Sequence, residues 1–149
     1  DENQTIIDAY CGIGSITLNL AKKAKMVYGI EIVPQAIDNA NLNKKFNNIY
    51  NVNFICGKCE DEITKLTKLT NVDTIVFDPP RKGCDKKFLD TVIDMKIKNI
   101  VYVSCNPATL ARDLRYLVDN GYELREVTPF DLFSHTSHVE SITLLELKK

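Results

Sequence analysis

Apolar runs of strand length recur along the chain, each closed by a turn signal and most followed by a helical pattern. Residues 5–10 form the first run, which turns at Cys11-Gly12-Ile13-Gly14 and continues as an apolar helix over 15–21. Residues 26–31 give a second strand that ends on Glu31, and Pro34 starts a longer helix from 35 to about 46. A third strand covers 52–56, with a short helix from about 60 to 66. The fourth, 72–78, is broken by Pro79-Pro80. A helix over 86 to about 95 leads to the fifth strand, 99–103. Pro107 then opens a helix to about 120, with Gly121 placed as its C-cap.

The last two apolar segments, about 122–129 and 139–147, alternate with no helix between them and read as an antiparallel pair at the sheet edge. Together the pattern predicts an α/β fold: a mostly parallel seven-stranded sheet with helices, closed by a C-terminal antiparallel hairpin. No repeat, low-complexity tract or linker interrupts it.

Composition changes this picture little. At 149 residues, 44% hydrophobic and 26% charged, the chain suits one globular domain with a single well-buried core. No apolar run approaches the ~20 residues of a membrane-spanning helix. The polar start, Asp1-Glu2-Asn3-Gln4-Thr5, is no signal peptide, and the missing initiator Met reads as the mark of a fragment. The net charge of −1 gives no basic footprint for nucleic acid, so affinity for RNA must come from a local patch or from another segment. Five cysteines, odd in number and without framework spacing, point to the reducing cytoplasm.

Candidate chemistry gathers where strands end. Cys105 follows the fifth strand and faces the first turn of the next helix, a position that favours a thiolate. The glycine loop after Asp8 lets a ligand approach the backbone of Gly12 and Gly14. It departs from a dinucleotide fingerprint, because the third glycine position is Thr17. A carboxylate at Asp8 disfavours a pyrophosphate and suits an ammonium group. Glu31, about twenty residues on, is placed to accept hydrogen bonds from ribose hydroxyls. These features fit S-adenosylmethionine better than a nicotinamide cofactor.

Asp78, before two stiffening prolines, projects toward the strand-end crevice where a flat base can be held. Arg81 and Lys82 read as phosphate contacts or, more simply, as solvated charges. Cys56-Gly57-Lys58-Cys59 has redox spacing but the wrong surrounding strand order, and no second close pair completes a zinc site, so no metal is expected. The segment 129–140 holds Asp131, His135, His138 and Glu140, either a polar hairpin or a place for a general base.

Taken together, Asp8-Ala9-Tyr10-Cys11-Gly12-Ile13-Gly14, Glu31, Asp78-Pro79-Pro80-Arg81-Lys82-Gly83, the run from Ser104-Cys105-Asn106-Pro107 to Arg112-Asp113, and His138-Val139-Glu140 resemble the RNA uracil-C5 methyltransferases. The resemblance covers essentially the whole chain, as that family's catalytic domain over 1–149. It implies a Rossmann-like class I fold, S-adenosyl-L-methionine as methyl donor, and a uridine of tRNA or ribosomal RNA as acceptor. It further implies Cys105 as nucleophile, Glu140 as base, and Tyr10, Glu31 and Asp78 in the cofactor site, beside the loop of Asp8, Gly12 and Gly14. It implies that an N-terminal RNA-binding domain and a central segment lie outside this chain. Gln4 does not match the family's upstream glutamine, and Ser134 and Ser137 depart from the family's last loop.

Rival readings are an exocyclic-amine methyltransferase using Asp78-Pro79-Pro80, which needs no cysteine, and a non-catalytic cofactor- or RNA-binding domain.

Overall fold

The computed structural model describes residues 3–130 and 139–148. Strands β1 (Thr5–Ala9) and β4 (Thr74–Phe77) are buried along their whole length and pair in parallel at the centre of the sheet. A strand covered on both faces reads as a mainly apolar run, which is why these two carry no alternation; the polar exceptions, Thr5, Asp8 and Thr74, are themselves buried. Outward from β1 lie β2 (Met26–Glu31) and β3 (Val52–Cys56). On the other side lies β5 (Asn99–Ser104), also parallel. The last two strands, β6 (Tyr122–Phe130) and β7 (Glu140–Leu147), are antiparallel to each other, and β7 is antiparallel to β5. The resulting order is β3-β2-β1-β4-β5-β7-β6.

That order sharpens the expected edge hairpin. Of the two hairpin strands only β6 is an edge; β7 is inserted between β5 and β6. The burial pattern explains the choice: β6 is exposed at most positions, whereas β7 alternates and buries Ser141, Thr143 and Leu145.

Helices α1 (Ser15–Leu20) and α2 (Pro34–Phe46) cover one face, packing Leu18, Ile37 and Ala40 on Ile6, Val27, Phe54 and Val76. Helices α3 (Cys59–Leu69), α4 (Lys86–Asp94) and α5 (Pro107–Asp119) cover the other, through Ile63, Phe88, Val92, Leu114 and Leu117. Helix α3 is longer at both ends than its apolar pattern predicts, because polar residues continue the turns around its buried Ile63 and Leu66. Among the described residues, no helix is long and apolar enough to cross a membrane.

Candidate active site

Strand register brings the neighbouring ends of β1, β4, β5 and β7 side by side, and four candidate residues lie in or just beyond them. Asp8 lies opposite Val76, Val76 opposite Val101, and Val101 opposite Leu144. Two residues further along come Val103 in β5 and Ile142 in β7, with the same facing, and Asp78 just past the end of β4. One more step of two reaches Cys105 and Glu140. Val103 pairs with Ile142 and Ser104 with Ser141, so the next positions on the two strands are Cys105 and Glu140. Residues directly opposed across an antiparallel pair have Cα atoms about 4.5–5.5 Å apart. The insertion of β7 beside β5 therefore puts residues 105 and 140 at the positions just beyond the last paired rung of the two strands.

The Ser-Cys-Asn-Pro run is a folding device as well as a site. Ser104 Oγ donates to the Asn106 carbonyl at 3.1 Å and accepts from the Asn106 N–H at 3.1 Å, pinning the turn. Asn106 caps α5, its side-chain oxygen accepting from the N–H of Ala108 at 3.0 Å and of Thr109 at 3.5 Å. Pro107 takes the first helical position, where its missing N–H costs nothing. Cys105 is left half-buried between a strand end and a capped helix start.

The other cysteines differ. Cys11, Cys59 and Cys84 are buried, and burial pushes each thiol up to about 12, so they stay protonated at neutral pH. Cys56 is exposed, and all five are free thiols. Among the described residues, no cluster of three or more His, Cys, Asp or Glu is placed to hold a metal ion.

The glycine loop leaves β1 through three left-handed residues, Tyr10, Gly12 and Gly14. Gly14 needs its hydrogen, since a Cβ there would lie 2.6 Å from the Phe54 ring. At Gly12 a Cβ would meet nothing within 4 Å, so the loop borders open space. Glu31 ties this loop to the end of β2: it accepts from the Gly12 N–H at 3.2 Å, and from the N–H groups of Ile32 at 2.8 Å and Val33 at 3.0 Å. Tyr10 turns the other way, packing on Phe88 with ring centroids 5.1 Å apart. It also lines a cavity of about 320 Å³ with Ile32, Lys58, Cys59, Glu60 and Asp85.

Asp8 is not the freely charged acid that its sequence position implies. It is 1% exposed; one carboxylate oxygen accepts from the Thr17 hydroxyl, and the other, Oδ1, has no hydrogen-bond partner among the described residues. Burial is the main cause that pushes its pKa up to about 7, with the charge of Asp78 adding to it. Thr17 explains the missing third glycine, because that position supplies a donor to the buried acid.

Asp78 is exposed as a residue, but protein around its carboxyl raises its pKa above the ordinary carboxylate range, and the charge of Glu140 raises it further. Asp8, Asp78 and Glu140 thus form a row of acids along the strand ends. Glu140 is half-buried and lines an apolar trough of about 870 Å³ with Val76, Val103 and Ile142. His135 and His138, with Ser134 and Ser137, lie outside the described residues.

The family described as tRNA (uracil-5-)-methyltransferase matches residues 1–148. The chain belongs to this family. It is 58% identical over 146 residues to an RNA methyltransferase of Bacillus cereus, covering 97% of this chain and 32% of that protein. A relative from Clostridium acetobutylicum, described in the same words, is 52% identical over 144 residues, covering 96% of this chain and 31% of that protein. The chain thus spans about a third of the length of these relatives.

Among solved structures, the tRNA (uracil-54, C5)-methyltransferase of Pyrococcus abyssi, in complex with S-adenosyl-L-homocysteine, superposes with a TM-score of 0.84 at 34% identity. That match covers 97% of this chain and 34% of that one. A precorrin-6y C5,15-methyltransferase of Geobacter metallireducens shares the fold, with a TM-score of 0.78 at 16% identity over 98% of this chain and 81% of that one. The Rossmann-like class I methyltransferase fold implied by the family resemblance is the fold observed.

Proposed function

We propose that this chain is the catalytic domain of an enzyme that transfers a methyl group from S-adenosyl-L-methionine to C5 of a uridine in tRNA or ribosomal RNA. The observation that carries the reading is the register of β5 and β7, whose last rung, Ser104–Ser141, leaves Cys105 and Glu140 as the next positions, with Asp78 just past the end of β4 beside β5. Family membership and RNA-methyltransferase relatives support it.

The residues present fit the donor. Glu31 offers a carboxylate beside the glycine loop for ribose hydroxyls, and the open space at Gly12 leaves room along the loop. The unpartnered Asp8 Oδ1 offers an acceptor to an ammonium, whose charge would pull the Asp8 proton off. The cavity beside Tyr10 and Ile32 suits a flat purine. When bound, the cofactor supplies an electrophilic methyl on a sulfonium.

The chain supplies the rest. Uracil C5 is a weak nucleophile, so the Cys105 thiolate first adds to C6, forming an Sγ–C6 bond and moving the C5–C6 electron pair into an enolate. C5 then takes the methyl and still carries its hydrogen. Glu140 removes that proton, the C5–C6 double bond re-forms, and the Sγ–C6 bond breaks to release the thiolate. Asp78 and the rigid Pro79-Pro80 backbone hold the base beside Cys105. The uridine must leave its RNA stack to reach this recess.

With a net charge of −1, backbone affinity for RNA comes from segments of the full-length protein outside this chain, an RNA-binding domain and a central segment. Free thiols at all five cysteines suit a cytoplasmic enzyme. An exocyclic-amine methyltransferase leaves the Cys105–Glu140 pairing without a task.

The test is methyl transfer by the full-length protein from methyl-labelled S-adenosylmethionine to uridine-containing RNA. Label at uridine C5 is expected, and none with Cys105→Ala. Label on an exocyclic amine, or full activity in Cys105→Ala, would overturn the reading.

A further inference from the structure

The loop after Asp78 and the turn carrying Cys105 are clasped together by one face of α5. Asn106 Nδ2 and the Thr109 hydroxyl both donate to the Arg81 carbonyl at 3.2 Å. Arg112 Nη2 donates to the Lys82 carbonyl at 3.1 Å, and Asp113 Oδ2 accepts from the Cys84 N–H at 2.8 Å. Residues 106, 109, 112 and 113 recur at the spacing that aligns side chains on one helix face.

Asp113 has the widest reach of the four. Its side chain is 2% exposed. Oδ2 also accepts from the Tyr102 hydroxyl at 2.7 Å, three residues before Cys105, while Oδ1 accepts from Arg112 Nε at 2.8 Å. One buried carboxylate therefore holds β5, α5 and the loop at once. Gly83 makes the approach possible: a Cβ there would lie 2.6 Å from Arg112 Nη2 and 2.6 Å from Asp113 Oδ2, and its φ of +79° already disfavours a side chain.

We propose that Asp113, seated over Gly83, is a positioning residue that sets the gap between the Cys105 turn and the Asp78-Pro79-Pro80 loop, and thereby the alignment of the base for thiolate addition. The inference rests on the uridine-methylation reading above. Addition to C6 needs the sulfur about 3–3.5 Å from the carbon, along the face of the ring. The ring is held by one segment and the thiol by the other, so an error in their separation enters the reaction coordinate directly. The proposed cofactor contacts at Asp8, Gly12 and Glu31 lie on β1, β2 and the glycine loop, where their hydrogen bonds do not involve the clasp residues, so cofactor affinity is separable from the clasp's effect.

The experiment uses the full-length protein with Asp113→Asn and Thr109→Val. The first keeps size but replaces an acceptor oxygen with a donor facing Cys84 N–H; the second keeps shape and removes one link to Arg81. Single-turnover methylation of uridine-containing RNA, S-adenosylmethionine affinity by calorimetry and thermal unfolding are measured together. Asp113→Asn is expected to slow methylation about 100-fold, the scale of a 1 Å misplacement, with cofactor affinity within about threefold of wild type. Thr109→Val is expected to slow it about threefold to tenfold. Both should leave KM for RNA near wild type while kcat falls.

Unchanged kcat in folded Asp113→Asn would overturn the proposal, as would cofactor affinity falling in step with kcat, the signature of general destabilisation. If Asp113→Asn does not fold, Thr109→Val decides by the same criteria. Native alkylation followed by mass spectrometry reads the clasp without any RNA. Faster labelling of Cys84 and Cys105, with Cys59 unchanged, is the expected result, and equal acceleration at Cys59 would contradict it. A wild-type protein that never methylates uridine would fail the reaction reading while the alkylation result still judged the clasp.

Discussion

Ser104 of β5 pairs with Ser141 of β7, the last rung of an antiparallel ladder whose next positions are Cys105 and Glu140. In the mechanism proposed above, Glu140 acts only at the late step, removing the C5 proton after the methyl has arrived. Glu140→Gln should therefore support about one methyl transfer per site and then stop, with turnover falling at least about 100-fold, the range of general-base contributions. Rapid-quench kinetics measure this as a burst with no steady state. A uniform slowing with no burst would remove Glu140 from that step.

Glu31 accepts three backbone N–H bonds at the mouth of the glycine loop. Glu31→Gln replaces one accepting oxygen with a donor, loosening Gly12 and removing an acceptor proposed for the ribose hydroxyls. Hydrogen bonds to charged groups are worth about 1.5–3 kcal/mol, so S-adenosylmethionine affinity should fall by roughly tenfold to a hundredfold. Calorimetry on the full-length protein measures it, and unchanged affinity would place the cofactor elsewhere.

Burial pushes the Asp8 pKa up to about 7 from an ordinary 3.8, so the folded protein binds this proton more tightly than the unfolded chain does. Stability from that proton is fully present below about pH 4 and is lost as pH rises through about 7. Asp78, raised in the same direction, adds to the slope. The unfolding midpoint should therefore rise as the pH is lowered from 8 to 5, and Asp8→Asn should flatten that rise. A scan of thermal unfolding against pH measures both; an Asp8→Asn profile parallel to wild type would contradict the assignment.

Gly14 combines a φ of +85° with the Phe54 ring 2.6 Å from where a Cβ would stand. Gly14→Ala should lose about 1–3 kcal/mol from overpacking, in addition to its backbone strain. Gly12 has the room that Gly14 lacks, so Gly12→Ala should cost less in denaturant unfolding. Equal losses at the two sites would show that Phe54 moves aside freely.

The elements were legible because β1 and β4 are mainly apolar runs without alternation and because Gly or Pro marks most turns. Cys105, Glu31 and Asp78 could be found as strand-end residues with turn chemistry behind them. Three features were not legible. The insertion of β7 beside β5 is a long-range pairing that no local pattern encodes, and it puts Glu140 and Cys105 at the positions next to the last rung of one ladder. Thr17 stood out only as a missing glycine; its role as the donor to buried Asp8 depends on a turn of α1 that spacing alone does not orient. Asp113 reads as an ordinary helical acid beside an arginine, and its contacts with Tyr102 and Cys84 exist only once the sheet and loop are assembled. A buried acid at a helical position that otherwise calls for an apolar residue was the available signal.

The central claim is that Cys105 bonds covalently to the uridine it serves. Glu140→Gln, incubated with S-adenosylmethionine and uridine-containing RNA, should accumulate a protein–RNA species that survives denaturing electrophoresis. Digestion and mass spectrometry should place a methylated uridine on the peptide containing Cys105. An active wild-type enzyme whose Glu140→Gln variant forms no such adduct, or forms one on another cysteine, would contradict the account.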